Sequence, residues 1–340
     1  MANGVGRSSK RVRSDDSEGS ADSESQSFDD LTRDEEFWLE DGNIVLVAGK
    51  RGFKIYRGLL AVQSPVFADM FSTANPDVSQ LYDGCPVIRL SDSAEDLRHL
   101  LHALLPRAEA SRVSLADDSE LSCTFNQLSS LTRLGHKYQI EFIECRAIAR
   151  LKLLYTDTFQ KWDECDAPFD VGDGQEIGVV CLARLTNNPA MLPVAFYLCS
   201  IRAGAVAHGW TREDGTVEML EADDLERCIN GYGVLQTETS DSLARIFKFY
   251  DNPLCNSAQK VSCNHCLFRF HELAGAHPRR YYLQLHAWND QYEQWMEDEN
   301  IKLCPACLQA LCARHKDERR ALWCRLPEIF RLSTLDGWET

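Results

Sequence analysis

The chain has 340 residues, of which 44% are hydrophobic and 26% charged, so it is long enough for two globular domains. Its 36 basic and 52 acidic side chains give a net charge of −16, which repels phosphate backbones and argues against direct nucleic-acid binding. No apolar signal segment follows Met1, so the 14 cysteines are expected to be reduced in an intracellular protein, nuclear or cytoplasmic.

Residues 1–34 are rich in Ser, Asp and Glu and contain few large apolar side chains. Such a segment buries too little surface to offset its chain entropy, so we expect a disordered tail. Within it, Lys10, Arg11 and Arg13 form a short basic cluster, which is a candidate nuclear-import signal. The alternative is that these are ordinary solvated charges.

The next region, residues 35–162, predicts an α+β domain that begins near Phe37. Apolar runs and period-two alternation predict strands, and apolar stripes at spacings of three and four predict helices. Ser64 is expected to cap the second helix, with Pro65 at its first position. The expected elements are strands at 44–47, 53–56 and 87–90, and helices at 57–62, 65–74, 94–105, 125–138 and 140–159.

A stretch rich in Asp, Gly and Pro, residues 163–174, is the predicted boundary to a second domain at 175–340. Strand signals are nearly absent beyond it, so the C-terminal region is expected to be all-helical. Its longest apolar run, 189–207, contains Arg202, which favours a buried helix over a membrane span. The expected helices are 177–185, 189–202, 222–230 and 240–250.

Parts of the N-terminal domain resemble the BTB/POZ domain. The matching residues are Asp41-Gly42, Ser64-Pro-Val-Phe67 and the strand Val87–Leu90, whereas Tyr56 stands where the family usually has a histidine. Residues 83–105 and 318–338 are similar to an expanded group of BTB/POZ proteins from mushroom-forming (basidiomycete) fungi. The resemblance covers about two thirds of the chain and is specific for fold rather than function.

The resemblance implies a non-enzymatic protein–protein interaction module that forms homodimers or binds a cullin or a corepressor-type protein. A dimer in that family often buries a charged pair, which would correspond here to Asp41 and Arg57. The alternative for Asp41 is a turn cap before the strand. Two narrower hypotheses follow, a substrate adaptor of a cullin-type ubiquitin ligase and a nuclear transcriptional regulator that acts through partners.

Two C-x-x-C pairs, Cys263/Cys266 and Cys304/Cys307, are candidate ligands of one structural zinc ion. The 37 residues between the pairs, 267–303, exceed the length of a compact zinc module, so a helical hairpin would have to bring them together. Alternative ligands are His265, His271, Cys312 and His315. There are two alternatives to a zinc site. The cysteines are buried thiols without a chemical role, or the Cys304-Pro-Ala-Cys307 sequence belongs to a thiol oxidoreductase.

Motifs of the common enzyme classes are absent from the sequence. His271-Glu-Leu-Ala-Gly275 lacks the second histidine of a zinc protease helix, and no phosphate-binding glycine loop or nucleophile elbow is found. We therefore expect no catalytic activity. We also expect that the protein binds neither a membrane nor nucleic acid directly.

Overall fold

The structure, a computed structural model, describes residues 30–73, 81–105, 123–165, 172, 174–255, 260–276, 285–333 and 335–339. It is mixed α+β, with one small curled sheet near the N-terminus and helices along most of the remaining chain. The basic cluster Lys10, Arg11 and Arg13 lies outside the described residues, as does most of the predicted boundary at 163–174.

The main sheet has five strands, which are β1 Thr32–Trp38, β2 Ile44–Ala48, β3 Arg51–Ile55, β4 Leu81–Tyr82 and β5 Cys85–Leu90. Their order across the sheet is β1-β3-β2-β5-β4. β2 and β3 form the predicted antiparallel hairpin, which turns at Gly49 with a φ of 58°, a conformation that glycine adopts without strain. β5 pairs parallel with β2, and β1 pairs parallel with β3.

Strand β1 begins at Thr32, inside the segment that the sequence assigns to the disordered tail. Its anchor is Asp34, whose side chain is 1% exposed. The Asp34 carboxylate accepts hydrogen bonds from the backbone N–H groups of Glu36 and Phe37 and from the guanidinium of Arg98. Polar pairing of this kind requires a tertiary partner, which composition alone does not reveal.

The helices of the N-terminal region are α1 Arg57–Gln63, α2 Pro65–Thr73, α3 Ala94–Leu104, α4 Phe125–Lys137, α5 Glu141–Leu151 and α6 Phe159–Asp163. Ser64 Oγ accepts the N–H of Phe67 at 3.0 Å, which confirms the predicted cap of α2. The single helix predicted at 140–159 is wrong, because the chain leaves helical geometry after Leu151. Thr156 then bonds the N–H of Thr158, a local pattern that competes with a helix.

The C-terminal region contains α7 Gln175–Leu185, α8 Leu192–Ile201, α9 Ala203–Val206, β6 Trp210–Thr211, β7 Val217–Glu218, α10 Ala222–Ile246, α11 Lys260–Ala276, α12 Asn289–Asp298 and α13 Pro305–Ile329. The expectation of an all-helical region is wrong, because β6 and β7 form a short antiparallel hairpin. The two helices predicted at 222–230 and 240–250 are one continuous helix, α10.

Two hydrophobic cores lie along the chain. The first core combines residues between 37 and 235 with residues 285 and 322–338, and therefore joins both predicted domains. The second core is formed by residues between 243 and 311. Helices α10 and α13 run antiparallel through both, as the ion pairs Glu238–Arg325 and Arg245–Glu318 show. Among the described residues, no helix combines the length and apolar character that crossing a bilayer requires.

Candidate metal centre

Four cysteine sulfurs converge at one edge of the second core, and their Sγ atoms all lie within 4.8 Å of one another. The Sγ distances are 3.9 Å from Cys255 to Cys263 and 3.7 Å from Cys255 to Cys304, with Cys307 as the fourth member. A zinc–sulfur bond of about 2.3 Å puts the sulfurs of a regular tetrahedron about 3.8 Å apart. The group therefore has the spacing of a tetrathiolate metal site, while every cysteine is free of disulfide bonding.

The start of α13 positions Cys304 and Cys307. Cys304 is the N-cap residue with an extended φ of −67° and ψ of 154°, and Pro305 occupies the first helical position, which proline favours. Cys307 follows in the first turn, where its N–H bonds the carbonyl oxygen of Cys304 at 3.0 Å. The N–H of Cys304 itself donates to Sγ of Cys263, on α11, at 3.4 Å. Both sulfurs thus sit at a helix N-terminus, which stabilises negative charge.

Cys255 enters the group from the turn that follows α10. Asn252, which is 5% exposed, organises this turn, since its Oδ1 accepts the N–H of Leu254 at 2.9 Å and its carbonyl accepts that of Cys255 at 3.0 Å. The Asn252 amide also donates to the carbonyl of Ala306 at 3.0 Å. One buried amide therefore ties the Cys255 turn to the first turn of α13.

The fourth predicted ligand, Cys266, lies outside the sulfur group. The sequence treated Cys263 and Cys266 as a knuckle turn, whereas both lie inside α11, where residues three apart have Cβ atoms about 5–6 Å apart. Cys266 is 1% exposed and packs in the second core. Cys255, which sequence analysis did not select, takes its place in the group.

The alternative ligand His315 also lies outside the sulfur group. Its Nδ1 is 3.1 Å from the hydroxyl of Tyr292, and its ring packs 4.6 Å from that of Trp288. Burial, together with the charge of Arg319, lowers the pKa of His315 to about 3. His315 is therefore a buried, uncharged side chain that packs next to the second core.

The electrostatics of the group separate Cys304 from its neighbours. Burial raises the pKa of Cys255 and of Cys307, which disfavours isolated thiolates there. At Cys304 burial acts in the same direction, but the N–H of Cys307 and the neighbouring thiols outweigh it, and its pKa is lowered. A metal ion binds thiolates rather than thiols, so ion binding at this group would release protons.

The donor set fits a structural zinc ion. Zn²⁺ prefers soft thiolate ligands in tetrahedral geometry, and four protein thiolates leave no open position for a catalytic water. Cys255, Cys263, Cys304 and Cys307 would hold the ion, which would supply a crosslink between the end of α10, α11 and the start of α13.

The two predicted dimer residues lie at the N-terminal end of α1 and are distant in sequence from these cysteines. Asp41 and Arg57 are both exposed. The hydroxyl of Tyr56 donates to Asp41, and the N–H of Arg57 donates to Oδ1 of Asn43 at 2.7 Å. Tyr56 is therefore the hydrogen-bond partner of Asp41.

Comparisons were made with models of protein families, with curated proteins and with solved structures. None of the three finds a match to this chain.

Proposed function

We propose that this protein binds other proteins without catalysing a reaction, and that its N-terminal unit associates with a second copy of the chain through α1. The observation that carries the proposal is the exposed apolar surface of α1, where Leu59 and Val62 are 45% and 85% exposed. These residues are three apart and share a helix face. Arg57 begins the same helix and Asp41 accepts a hydrogen bond from Tyr56, the residue before it, so charged side chains stand at one end of this apolar surface.

Contacts between the C-terminal region and helices α3 and α4 support α1 as the binding surface. Arg212 on the chain after β6 donates to Asp96 on α3, and Arg133 on α4 pairs with Glu218 on β7 at 2.5 Å. His99 on α3 lies 2.7 Å from Glu213 in the same hairpin. The C-terminal region therefore covers part of α3 and α4. Helix α1, by contrast, keeps exposed apolar residues.

The sheet topology supports a BTB/POZ identity for the N-terminal unit. A hairpin, two short helices and a strand parallel to the first hairpin strand follow in the order that the sequence resemblance implies. A cullin or corepressor-type protein would be the alternative partner of such a unit. Import through Lys10, Arg11 and Arg13 would direct a regulator to the nucleus.

A structural zinc ion at Cys255, Cys263, Cys304 and Cys307 is the second part of the proposal. Its support is the close spacing of the four sulfurs and their supply by three separate segments of the second core. The second core is small, and small cores commonly need a metal or disulfide crosslink for stability. The ion would hold the helical region in one arrangement.

Light scattering of the purified chain, with metal analysis on the same peak, tests both parts. We expect twice the chain mass and about one zinc per chain. Val62→Asp should give the monomer mass, because a charge in the apolar centre of an interface is costly. Val261→Asp is the matched control, since Val261 is 81% exposed, much like Val62, but belongs to α11. A monomeric wild type, or a dimeric Val62→Asp, would reject the α1 interface.

Thiol exchange at Cys304 is a second candidate function, which its lowered pKa and its helix N-terminal position favour. In that reaction the Cys304 thiolate attacks a disulfide, forms a mixed disulfide and releases one thiolate. An aromatic disulfide reagent would measure this rate in metal-free and zinc-loaded protein. Rapid reaction of both forms, lost in Cys304→Ser, would favour exchange, whereas protection by zinc favours the structural site.

A further inference from the structure

A cavity of about 320 Å³ opens beside the four-cysteine centre. Its walls include Cys255, Cys263 and Cys307 together with two cationic side chains, Lys260 and Arg314. Asp251 also lines it, so three cysteines, two cationic side chains and one carboxylate border the same partly open space. Charges that share a partly desolvated cavity interact more strongly than charges on an open surface.

Arg314 has an incomplete set of partners. Its Nη1 donates to the carbonyl oxygen of Lys248 at 2.8 Å, and its guanidinium lies 5.7 Å from the ring centre of Tyr250. Its Nε is buried and has no hydrogen-bond partner. No carboxylate among the described residues forms an ion pair with it. Burial of part of a guanidinium without an anionic partner is costly, so negative charge beside this side chain would stabilise it.

Lys260, the first residue of α11, is the second cationic side chain that lines the cavity. It pairs with the carboxylate of Asp251, a residue that is largely exposed. Lys260 therefore adds a cation to the cavity wall, and Asp251 offsets part of its charge.

We infer that Arg314, together with Lys260 in the same cavity, is the counter-charge of a dianionic metal–tetrathiolate centre. The inference rests on the metal site proposed above. When a divalent cation binds four thiols, four protons leave and the product [M(SR)₄]²⁻ carries two negative charges. That dianion supplies the anionic partner that the Arg314 guanidinium lacks. The two residues are positioning groups for the metal centre and do not ligate the ion.

The charge of Arg314 would affect how the ion binds. Without the Arg314 charge, the dianion is less stable relative to the four neutral thiols, so the affinity falls and half-saturation requires a higher pH. Partners of metal ligands in other proteins typically contribute 10–100-fold in affinity. We expect about a tenfold loss for Arg314→Met, which removes the charge but keeps an apolar stem. Lys260→Met should lose less, because Asp251 shares its charge.

The test is a titration of the metal-free full chain with Zn²⁺, in competition with a chromophoric chelator, at a series of pH values. Arg314→Lys, which keeps the charge, should bind like the wild type, whereas Arg314→Met should bind more weakly with its pH profile shifted upward. Lys248→Met is the matched control, because it removes an exposed cation that does not line the cavity.

The possible negative results of this titration can be told apart. Wild-type affinity and pH profile in Arg314→Met would overturn the counter-charge role while leaving the metal site intact. Equal losses in Arg314→Met and Arg314→Lys would also overturn it, since packing rather than charge would then matter. A wild-type chain that binds no zinc would reject the metal site and the counter-charge role together.

Discussion

The backbone N–H of Cys304 donates to Sγ of Cys263 at 3.4 Å, across 41 residues of sequence. The bond joins the N-terminus of α13 to the first turns of α11, and it aims a donor at a sulfur in the manner common for thiolate ligands. Helices α11 and α13 meet at this bond. The other cysteines that join them therefore decide which ion the centre can bind.

Replacement of Cys255 should abolish stable zinc binding, whereas replacement of Cys266 should not. A serine hydroxyl is a poor ligand for a soft thiolate site, so Cys255→Ser should reduce zinc from about one per chain to well below that after exchange into dilute chelator. Cys266→Ser is the matched control, as it lies on the same helix as Cys263 but outside the group. Metal analysis after gel filtration measures both. Loss of zinc in Cys266→Ser alone would instead support the ligand set predicted from sequence.

Zinc removal should loosen the second core before the first. An ion that binds only the folded state stabilises it by about 4 kcal/mol when its free concentration is a thousand times Kd. Trp288 and Trp295 pack in the second core, so a chelator should weaken their near-ultraviolet circular dichroism while the far-ultraviolet helix signal is largely kept. Cys255→Ser serves as the control and should not respond to the chelator. An unchanged wild-type spectrum, with the metal verifiably removed, would argue against a structural ion.

The glycines of α10 give a prediction about the first core. A Cβ added at Gly231 would lie 2.2 Å from Cε1 of Phe330, which is fully buried. Gly231→Ala should therefore destabilise the protein by about 1–3 kcal/mol, because packed cores do not accommodate an extra methyl without strain. Gly233→Ala is a matched control two residues on, where nothing lies within 4 Å. It should stabilise by about 0.5–1 kcal/mol. Chemical denaturation measures both, and equal shifts would contradict the close contact.

Gly231 also explains why sequence analysis divided α10. Two glycines in the middle of a helical pattern usually indicate a break, so the sequence predicts helices on either side of them. The structure continues the helix, since Gly231 admits the ring of Phe330 from the end of α13. That contact joins residues 99 positions apart, and a local pattern carries no information about it.

Local signals did predict the N-terminal unit well. The β2–β3 hairpin and the cap of α2 depend on neighbouring residues, namely Gly49 and Ser64, and both are confirmed. The sulfur group depends on tertiary convergence, so only three of its members were predicted. Cys255 has one local signal, the Asn252-Pro-Leu-Cys255 turn ahead of a helix that carries Cys263, but spacing alone could not prefer it to Cys266.

Asp34 should make the stability of the protein depend on acidic pH. Burial alone would raise its pKa, but hydrogen bonds from Arg98 and from the N–H groups of Phe37 and Glu36 outweigh burial and lower the pKa below the ordinary 3.8. A carboxyl whose pKa is lower in the folded state stabilises that state above the unfolded pKa. This contribution is lost as pH falls through the folded value. The difference between wild type and Asp34→Asn should therefore be constant at neutral pH and shrink below about pH 4.

At pH 7 the Asp34→Asn change should cost about 2–3 kcal/mol, since the amide cannot form the charged bonds to Arg98 and Arg51 and places donors against them. Asp30→Asn is the control, because its carboxylate is 86% exposed and pairs with Lys50 only at 3.6 Å. It should change stability by less than about 0.5 kcal/mol. Urea midpoints of the three proteins between pH 3 and pH 7 provide the measurement. A cost of Asp34→Asn that persists undiminished at pH 3 would show that the carboxylate charge does not anchor β1, and that the lost contribution comes from packing.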